Sequence, residues 1–394
     1  MWLFFSGIMI LVYTGLCVYI GLRLLAFIRF FLPGCSALVY WPLFALLAYS
    51  FILINLLRLD RLHFLRQFGV YFMAVFVYLL LSLLAFDLLR LALWFAKRGV
   101  LSPRFSAAGF GAALCVTMLV IIYGVSHARS IYTSNYRVNI AKSGTDMRIA
   151  LISDLHIGAT VDRAWIARIV DKVNQTEPDM VCIAGDIFDS NLGIVEDMSG
   201  IAAELRRLNA RNGVYACLGN HDVDRVRLLQ GEGSTEGIAN FLRDANIILL
   251  TDEALPVADN LYIAGRRDAR PIGMQQARIS AAELVAALEA NTRSGESPFG
   301  RNTTLIMLDH QPIEFPQIEK AGVDLLLCGH THRGQLFPAN LATRSMYKRA
   351  GATHYGYWQG TTMQAVVTSG AGLWGPPLRV ATNSEVAVIE LVRE

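Results

Sequence analysis

The chain has 394 residues, of which 54% are hydrophobic and only 17% charged, where an ordinary soluble domain carries about 25% charged residues. The shortage is local: residues 1–130 hold ten of the 35 basic residues and two of the 32 acidic ones, Asp60 and Asp87, so the remainder holds 25 and 30. A basic, apolar front third joined to a mildly acidic remainder indicates two parts in different solvents; the net charge of +3 is only their average and says nothing about nucleic acid, which is not expected as a partner.

In chain order, residues 2–22, 30–57, 69–86 and 105–125 form four apolar runs without an interior charge. Each has roughly 18 residues or more, enough to cross a hydrocarbon core about 30 Å thick. They predict an all-α bundle of about four transmembrane helices over residues 1–128, in a multi-pass protein of the cell or inner membrane whose first partner is the bilayer. Buried helices of a large soluble core are the alternative, and four uninterrupted runs oppose it. A cleavable signal peptide is opposed too, because no basic segment precedes the first run and three more follow. Their uncharged interiors also disfavour a transporter or channel. Arg23, Arg29, Arg90, Lys97, Arg98 and Arg104 follow the first and third runs, whereas Arg58, Arg61 and Arg66 lie between the second and third. The larger set inside places the N-terminus and the C-terminal domain outside the cytoplasm, although Arg129, Arg137 and Lys142 pull the other way.

Residues 129–145 are polar and read as a linker, with the second domain spanning 146–394. Short apolar runs at Met147–Ser153, Met180–Ala184, Val214–Leu218, Thr304–Leu308 and Val323–Cys328 read as core strands, and Leu261–Ala264, Gln364–Thr368 and Glu385–Val392 as further ones. Ala164–Asn174 has helical spacing through Trp165, Ile166, Ile169 and Val173. Alternating strands and helices predict an α/β domain around a buried sheet. None of the six cysteines forms a C-x-x-C pair, which disfavours a disulfide framework and a thiolate metal site; the unpaired thiols at 182, 217 and 328 favour a reducing compartment.

Each core strand is followed by polar donors: Asp154-Leu-His156, Gly185-Asp186 with Asp189, Gly219-Asn220-His221-Asp222, Asp309-His310, and Gly329-His330-Thr-His332. Loops at the carboxyl ends of such strands converge on one crevice. Five of the eight histidines fall at these ends, enough donors with the carboxylates for two metal ions. Imidazole and carboxylate without thiolate suit Mn, Fe or Zn.

The ordered set DxH … GD … GNHD … H … GHTH resembles the calcineurin-like metallophosphoesterase superfamily over residues 146–394. The GHTHRGQ run and Gly372-Leu-Trp-Gly-Pro-Pro-Leu-Arg379 are similar to its bacterial membrane-associated subgroup, transmembrane proteins with a metallophosphoesterase domain. The resemblance implies a four-layer α/β/β/α sandwich. It also implies roles: Asp154, His156 and His332 on a first divalent ion, Asp186 bridging, and Asn220, His310 and His330 on a second. His221 would face the leaving oxygen as the catalytic acid, oriented by Asp222. The implied activity is hydrolysis of a phosphomonoester, phosphodiester or pyrophosphate bond, with a phosphate-ester substrate near the lipid. Related members suggest UDP-2,3-diacylglucosamine, which would need a cytoplasmic active site, against the arginine distribution. A general phosphodiesterase, a phospholipid phosphatase, and a non-catalytic metal-binding module on a membrane scaffold stay open.

Four residues are left with two readings. Asp189 supports Asp186 or caps a helix. Arg333 stands where the subgroup has glycine, and either grips an anionic group or faces solvent. Trp374 lines the pocket or sits at the membrane surface. His354 reads as a surface residue.

Overall fold

The computed structural model describes residues 2–56, 63–97, 102–189, 192–222, 235–269, 278–293, 299–300 and 302–393. The chain divides into two compact units, Met1–Ser126 with Gly375–Pro377, and His127–Trp374 with Leu378–Glu394.

The first unit contains four helices: α1 (Trp2–Phe31), α2 (Ala37–Leu56), α3 (His63–Lys97) and α4 (Pro103–Ala128). They pack through Cys17, Ile20, Tyr40, Phe44, Phe76, Leu83 and Phe110, while large apolar side chains such as Leu11, Leu38 and Leu119 face outward. An outer surface this apolar is costly in water and inexpensive in lipid. Among the described residues, three helices are long and apolar enough to cross a membrane: Gly7–Phe31, Phe68–Ala96 and Pro103–Ala128. The expected second span contains the 20-residue apolar helix α2 (Ala37–Leu56). The third span also runs on beyond Phe86, where a charge was expected to end it. Arg23 on α1 pairs with Asp87 on α3 at 2.6 Å, and Tyr19 donates to the same carboxylate at 2.6 Å. The pair joins α1 and α3 just past the ends of the first and third apolar runs, and mutual neutralisation lets both helices continue through ionisable residues.

The second unit holds two six-stranded sheets. The first has the order β1 (Ile131–Ile140), β12 (Ser384–Arg393), β2 (Met147–Ile152), β3 (Met180–Ala184), β4 (Val214–Cys217), β5 (Ile248–Leu249). Only β12 against β2 is antiparallel. The second has the order β10 (Gly356–Gln359), β11 (Gln364–Val367), β9 (Leu325–Cys328), β8 (Thr304–Leu308), β7 (Leu261–Gly265), β6 (Glu253–Ala258), parallel except for its two outermost pairs. The 129–145 segment is therefore more than a linker. Its polar composition conceals a ten-residue edge strand, paired along its whole length with β12.

Ile149, Leu151, Cys182 and Cys217 of the first sheet meet Ile263, Ile306, Leu308, Leu325 and Leu327 of the second in one apolar layer. Outside the first sheet, α5 (Arg163–Asn174), α6 (Met198–Leu205) and α7 (Glu236–Asp244) bury Trp165, Ile166, Leu205, Phe241 and Leu242 against Ala150, Ile152 and Val181. Asp162 caps α5 by accepting the Trp165 N–H at 2.9 Å. Outside the second sheet, α8 (Ala281–Arg293) and α9 (Phe315–Lys320) bury Leu284, Leu288, Phe315 and Ile318 against Leu305, Met307 and Leu326. The result is the expected four-layer α/β/β/α sandwich. Central strands covered on both faces must be apolar throughout, which is why β3, β4, β7, β8 and β9 read as short unbroken hydrophobic runs.

Candidate metal centre

Parallel strands deliver their carboxyl ends to one edge, and the polar residues that follow β2, β3, β4, β8 and β9 meet there. Asp154, His156 and His332 form one group whose ligand atoms all lie within 4.8 Å of one another; Asp186, His310 and His330 form a second; His156, Asp189 and His221 form a third. The loops are bent sharply enough that Asp154, His156, Asp186, His330 and His332 all have φ between 47° and 73°. Non-glycine residues avoid that region unless the surroundings impose it. Close approach is the second requirement. A Cβ on Gly219 would sit 2.2 Å from Asp186 Oδ1, and one on Gly329 would sit 2.5 Å from Asp154 Oδ2. Any side chain at either position would push the loops apart.

Backbone and side-chain donors hold the carboxylates. The His330 N–H lies 3.1 and 3.0 Å from the two Asp154 oxygens, and Ser153 Oγ donates to one of them. The His221 N–H donates to Asp186 Oδ1 at 2.8 Å. His156 Nε2 and His332 Nε2 stand 3.1 Å apart, with Asp186 Oδ2 3.6 Å from the former and Asp154 Oδ1 3.4 Å from the latter.

His310 tests whether a cation fits. Its Nδ1 lies 2.8 Å from the Ala184 carbonyl, so that nitrogen donates and Nε2 turns inward. Nε2 then meets Asp186 Oδ2 at 3.1 Å, Asn220 Oδ1 at 3.2 Å and His330 Nδ1 at 3.2 Å. With Nδ1 donating, a neutral His310 turns a lone pair at Nε2 toward the Asp186 and Asn220 oxygens, an arrangement relieved by a proton or a cation at that point. Burial would lower the His310 pKa, but the Asp186 carboxylate outweighs it and drives the pKa well above the ordinary value, so the protein demands positive charge at that point. Burial pushes His156 down to about 4 and His330 down to about 3, and pushes His332 well below its ordinary value, leaving neutral rings as metal binding requires. Burial would raise Asp186, but the imidazoles of His310, His156 and His221 hold it below the carboxylate range. Buried Asp154 rises to about 6, with the charge of Asp186 adding to burial. The donor set, neutral nitrogens with two carboxylates and one amide, fits divalent metal, and no thiolate is among it.

Asp222 is bonded to the backbone of two neighbouring loops. Its two oxygens accept the Phe188 and Gly219 N–H groups at 2.8 Å each, so it ties the β3 and β4 loops together. The carboxylate beside the His221 ring is Asp189, 3.8 Å from Nδ1 and 4.0 Å from His156 Nδ1. This proximity favours a supporting role for Asp189 over a helix cap, a choice the sequence left open because nothing in it shows which way the loop after Asp186 turns. Asp222→Ala is expected to strand two buried N–H groups and destabilise the catalytic unit by about 2–3 kcal/mol. Thermal unfolding of the purified protein measures this; unchanged stability with a pure kcat loss would favour the orienting role.

Two buried polar groups were given no role by the sequence reading. Buried Arg379 donates to the Ser369, Gly370 and Gly372 carbonyls at 2.8–3.0 Å and pins that loop against Asp154 and Leu155. Buried Asp309, just before His310, pairs with Arg266 at 3.2 Å and Arg278 at 3.0 Å. Its position ahead of a ligand histidine was the one available signal. Trp374 is held by Gln335, and its ring centroid lies 6.3 Å from that of His221, with half its surface exposed. The Arg333 guanidinium lies over the Tyr355 ring at 4.2 Å. His354 is partly buried, its carbonyl accepts from Thr331 Oγ1, and it belongs to none of the three groups.

Residues 147–334 match the calcineurin-like phosphoesterase family. An uncharacterized metallophosphoesterase of Helicobacter pylori is 30% identical, over 65% of this chain and 62% of that protein. A transmembrane protein with metallophosphoesterase domain from Danio rerio is also 30% identical, over 71% of this chain and 62% of that protein. A UDP-2,3-diacylglucosamine hydrolase of Cellvibrio japonicus is 30% identical over 50% of this chain and 87% of that protein. The match thus spans less than two thirds of the first two relatives and most of the third. With every ordered block of donors present at the strand ends, the chain belongs to the calcineurin-like phosphoesterase family.

Proposed function

We propose that the protein is a membrane-anchored, dinuclear-metal hydrolase of a phosphodiester, phosphomonoester or pyrophosphate bond. The observation that carries the reading is the pair of donor groups, Asp154/His156/His332 and Asp186/His310/His330, standing side by side with the His221 ring against them. Asp154, His156 and His332 would hold one divalent ion, Asn220, His310 and His330 the other, and Asp186 both. Such ions, when bound, supply Lewis-acid stabilisation of charge on the phosphoryl oxygens and activate water. The chain's residues do the rest. Asp186 and Asp154 are fixed by backbone N–H groups, so the donors need no rearrangement. The β2, β3, β4, β8 and β9 loops exclude bulk water from the donors, while the His221 ring and Trp374 face the approach to them. His221 is placed to pass a proton to the departing oxygen.

A substrate in or beside the lipid head groups follows from the apolar helices and the exposed Trp374 next to His221. UDP-2,3-diacylglucosamine, named for one relative, is the first compound to try; a phospholipid or other phosphodiester is the alternative. The arginine distribution puts the catalytic domain outside the cytoplasm, where a nucleotide-linked lipid would not reach it. One paired experiment addresses both points. Purified full-length protein supplied with Mn is expected to hydrolyse an aryl phosphodiester and to stop on chelation. A reporter fused after Glu394 is expected to be active only outside the cytoplasm. Hydrolysis that survives exhaustive chelation removes the two-metal reading, and a cytoplasmic reporter signal reverses the orientation and favours the nucleotide lipid.

A further inference from the structure

No aspartate or glutamate occurs between Asp324 and Glu385, although the second part of the chain is acidic as a whole. The centre of that stretch is an eleven-residue helix, α10 (Ala339–Arg349). Only Tyr347 on it is buried. At roughly 100° per residue, Ala342, Ser345 and Arg349 lie opposite Tyr347, Leu341 and Met346 stand at the two margins of that outer face, and Lys348 and Arg344 lie on the Leu341 side. Leu341 is 55% and Met346 61% exposed, and Phe337, just before the helix, is 46% exposed. Arg344, Lys348 and Arg349 are exposed as well. A soluble surface helix normally turns its apolar residues inward; this one leaves Leu341 and Met346 exposed with the positive charge of Arg344, Lys348 and Arg349 beside and between them.

The helix is also coupled to the metal centre. It packs against the His332–Gly334 turn. A Cβ on Gly334 would stand 2.4 Å from Asn340 Cα, so the first turn of α10 rests directly on the loop that presents His332.

We infer that the outer face of α10, with Phe337, is a docking surface for an anionic lipid head-group layer, and that it brings the mouth of the metal centre to the membrane surface. Basic side chains attract the anionic layer, each contributing a roughly fivefold gain near the surface, and Leu341, Met346 and Phe337 enter the boundary with the acyl region. Charge complementarity selects the lipid class. The exposed Leu341 and Met346 beside Phe337 offer acyl-compatible surface and no stack of rings for successive bases, which favours lipid over nucleic acid. The inference rests on the membrane placement proposed above, but not on the hydrolytic reading.

The test is hydrogen–deuterium exchange of the full-length protein in nanodiscs of phosphatidylcholine alone or mixed with phosphatidylglycerol. Amides of 337–349 are expected to exchange at least about tenfold more slowly in the anionic discs. That protection should vanish in about 0.5 M salt, where screening shortens to a few ångström, and in the triple variant Arg344→Gln, Lys348→Gln, Arg349→Gln. Exchange in α5 should be unchanged, which guards against a folding defect. Equal exchange in both discs, or protection that persists in the triple variant, overturns the inference. So does protection conferred by single-stranded DNA in neutral discs but not by phosphatidylglycerol. Hydrolysis of a soluble aryl phosphodiester, measured on the same samples, should be unaffected by the triple substitution. If no sample hydrolyses it while the lipid-dependent protection remains, the catalytic reading fails and the docking surface stands.

Discussion

Replacing Asp186 with alanine is expected to remove bound metal and to lower kcat/KM for an aryl phosphodiester by about 10³- to 10⁴-fold, the equivalent of the several kcal/mol of Lewis-acid stabilisation that leaves with the ions. The argument comes from its position between the donor groups. One carboxylate oxygen stands 3.1 Å from His310 Nε2 and 3.6 Å from His156 Nε2; the other receives the His221 N–H. Deleting it leaves His310, His330 and Asn220 facing one another without the negative charge that made a cation favourable there. Metal analysis of the purified variant is therefore the primary readout, and activity the secondary one. Asp186→Asn keeps the shape and one oxygen donor but loses the charge, so it should fall between the two. Retention of a full metal complement by Asp186→Ala would show that the carboxylate does not bridge. Circular dichroism of the variant separates metal loss from unfolding.

How much of this was readable beforehand differs by element, for physical reasons. Strands β2, β3, β4, β8 and β9 were legible because double burial makes them unbroken apolar runs, and the donors were legible because each follows its strand at once. Strand β1 was not, since it is an edge strand whose exposed Tyr132, Asn135, Arg137 and Asn139 resemble a linker. The Arg23–Asp87 pair was hidden for the opposite reason: hydropathy counts a charge as the end of a span, whereas partners 64 residues apart in the chain cancel it. Sequence adjacency to His221 did not disclose that Asp222 bonds the backbone of Phe188 and Gly219. The direction of a side chain at a turn depends on φ and ψ, and residue order does not disclose them. Arg379 was missed because a buried guanidinium satisfied by carbonyls leaves no sequence partner to find.

The His221→Ala variant is expected to keep its metal and lose its rate. The contribution of this residue to the donor cluster is its backbone N–H, which holds Asp186 Oδ1 at 2.8 Å and survives the substitution. The ring is separate from that role. It packs edge-on to His156 at 5.1 Å between centroids, has Asp189 3.8 Å from Nδ1, and lies 6.3 Å from Trp374. A ring so placed acts when negative charge grows on the departing oxygen, so its interaction belongs to the transition state. Its loss should lower kcat and kcat/KM together, by the 10²- to 10⁴-fold typical of general acid catalysis. The dependence on leaving group is the sharper measurement. An aryl phosphate with an electron-poor ring departs without a proton and should be hydrolysed by the variant at nearly the unmodified rate, whereas an alkyl ester should show the full defect. Asp189→Asn should produce a smaller loss of the same pattern, because that carboxylate acts through the imidazole and touches no reacting atom. A His221→Ala protein that loses metal, or that is equally impaired toward aryl and alkyl esters, would place the ring in the scaffold and leave the proton to be supplied from elsewhere.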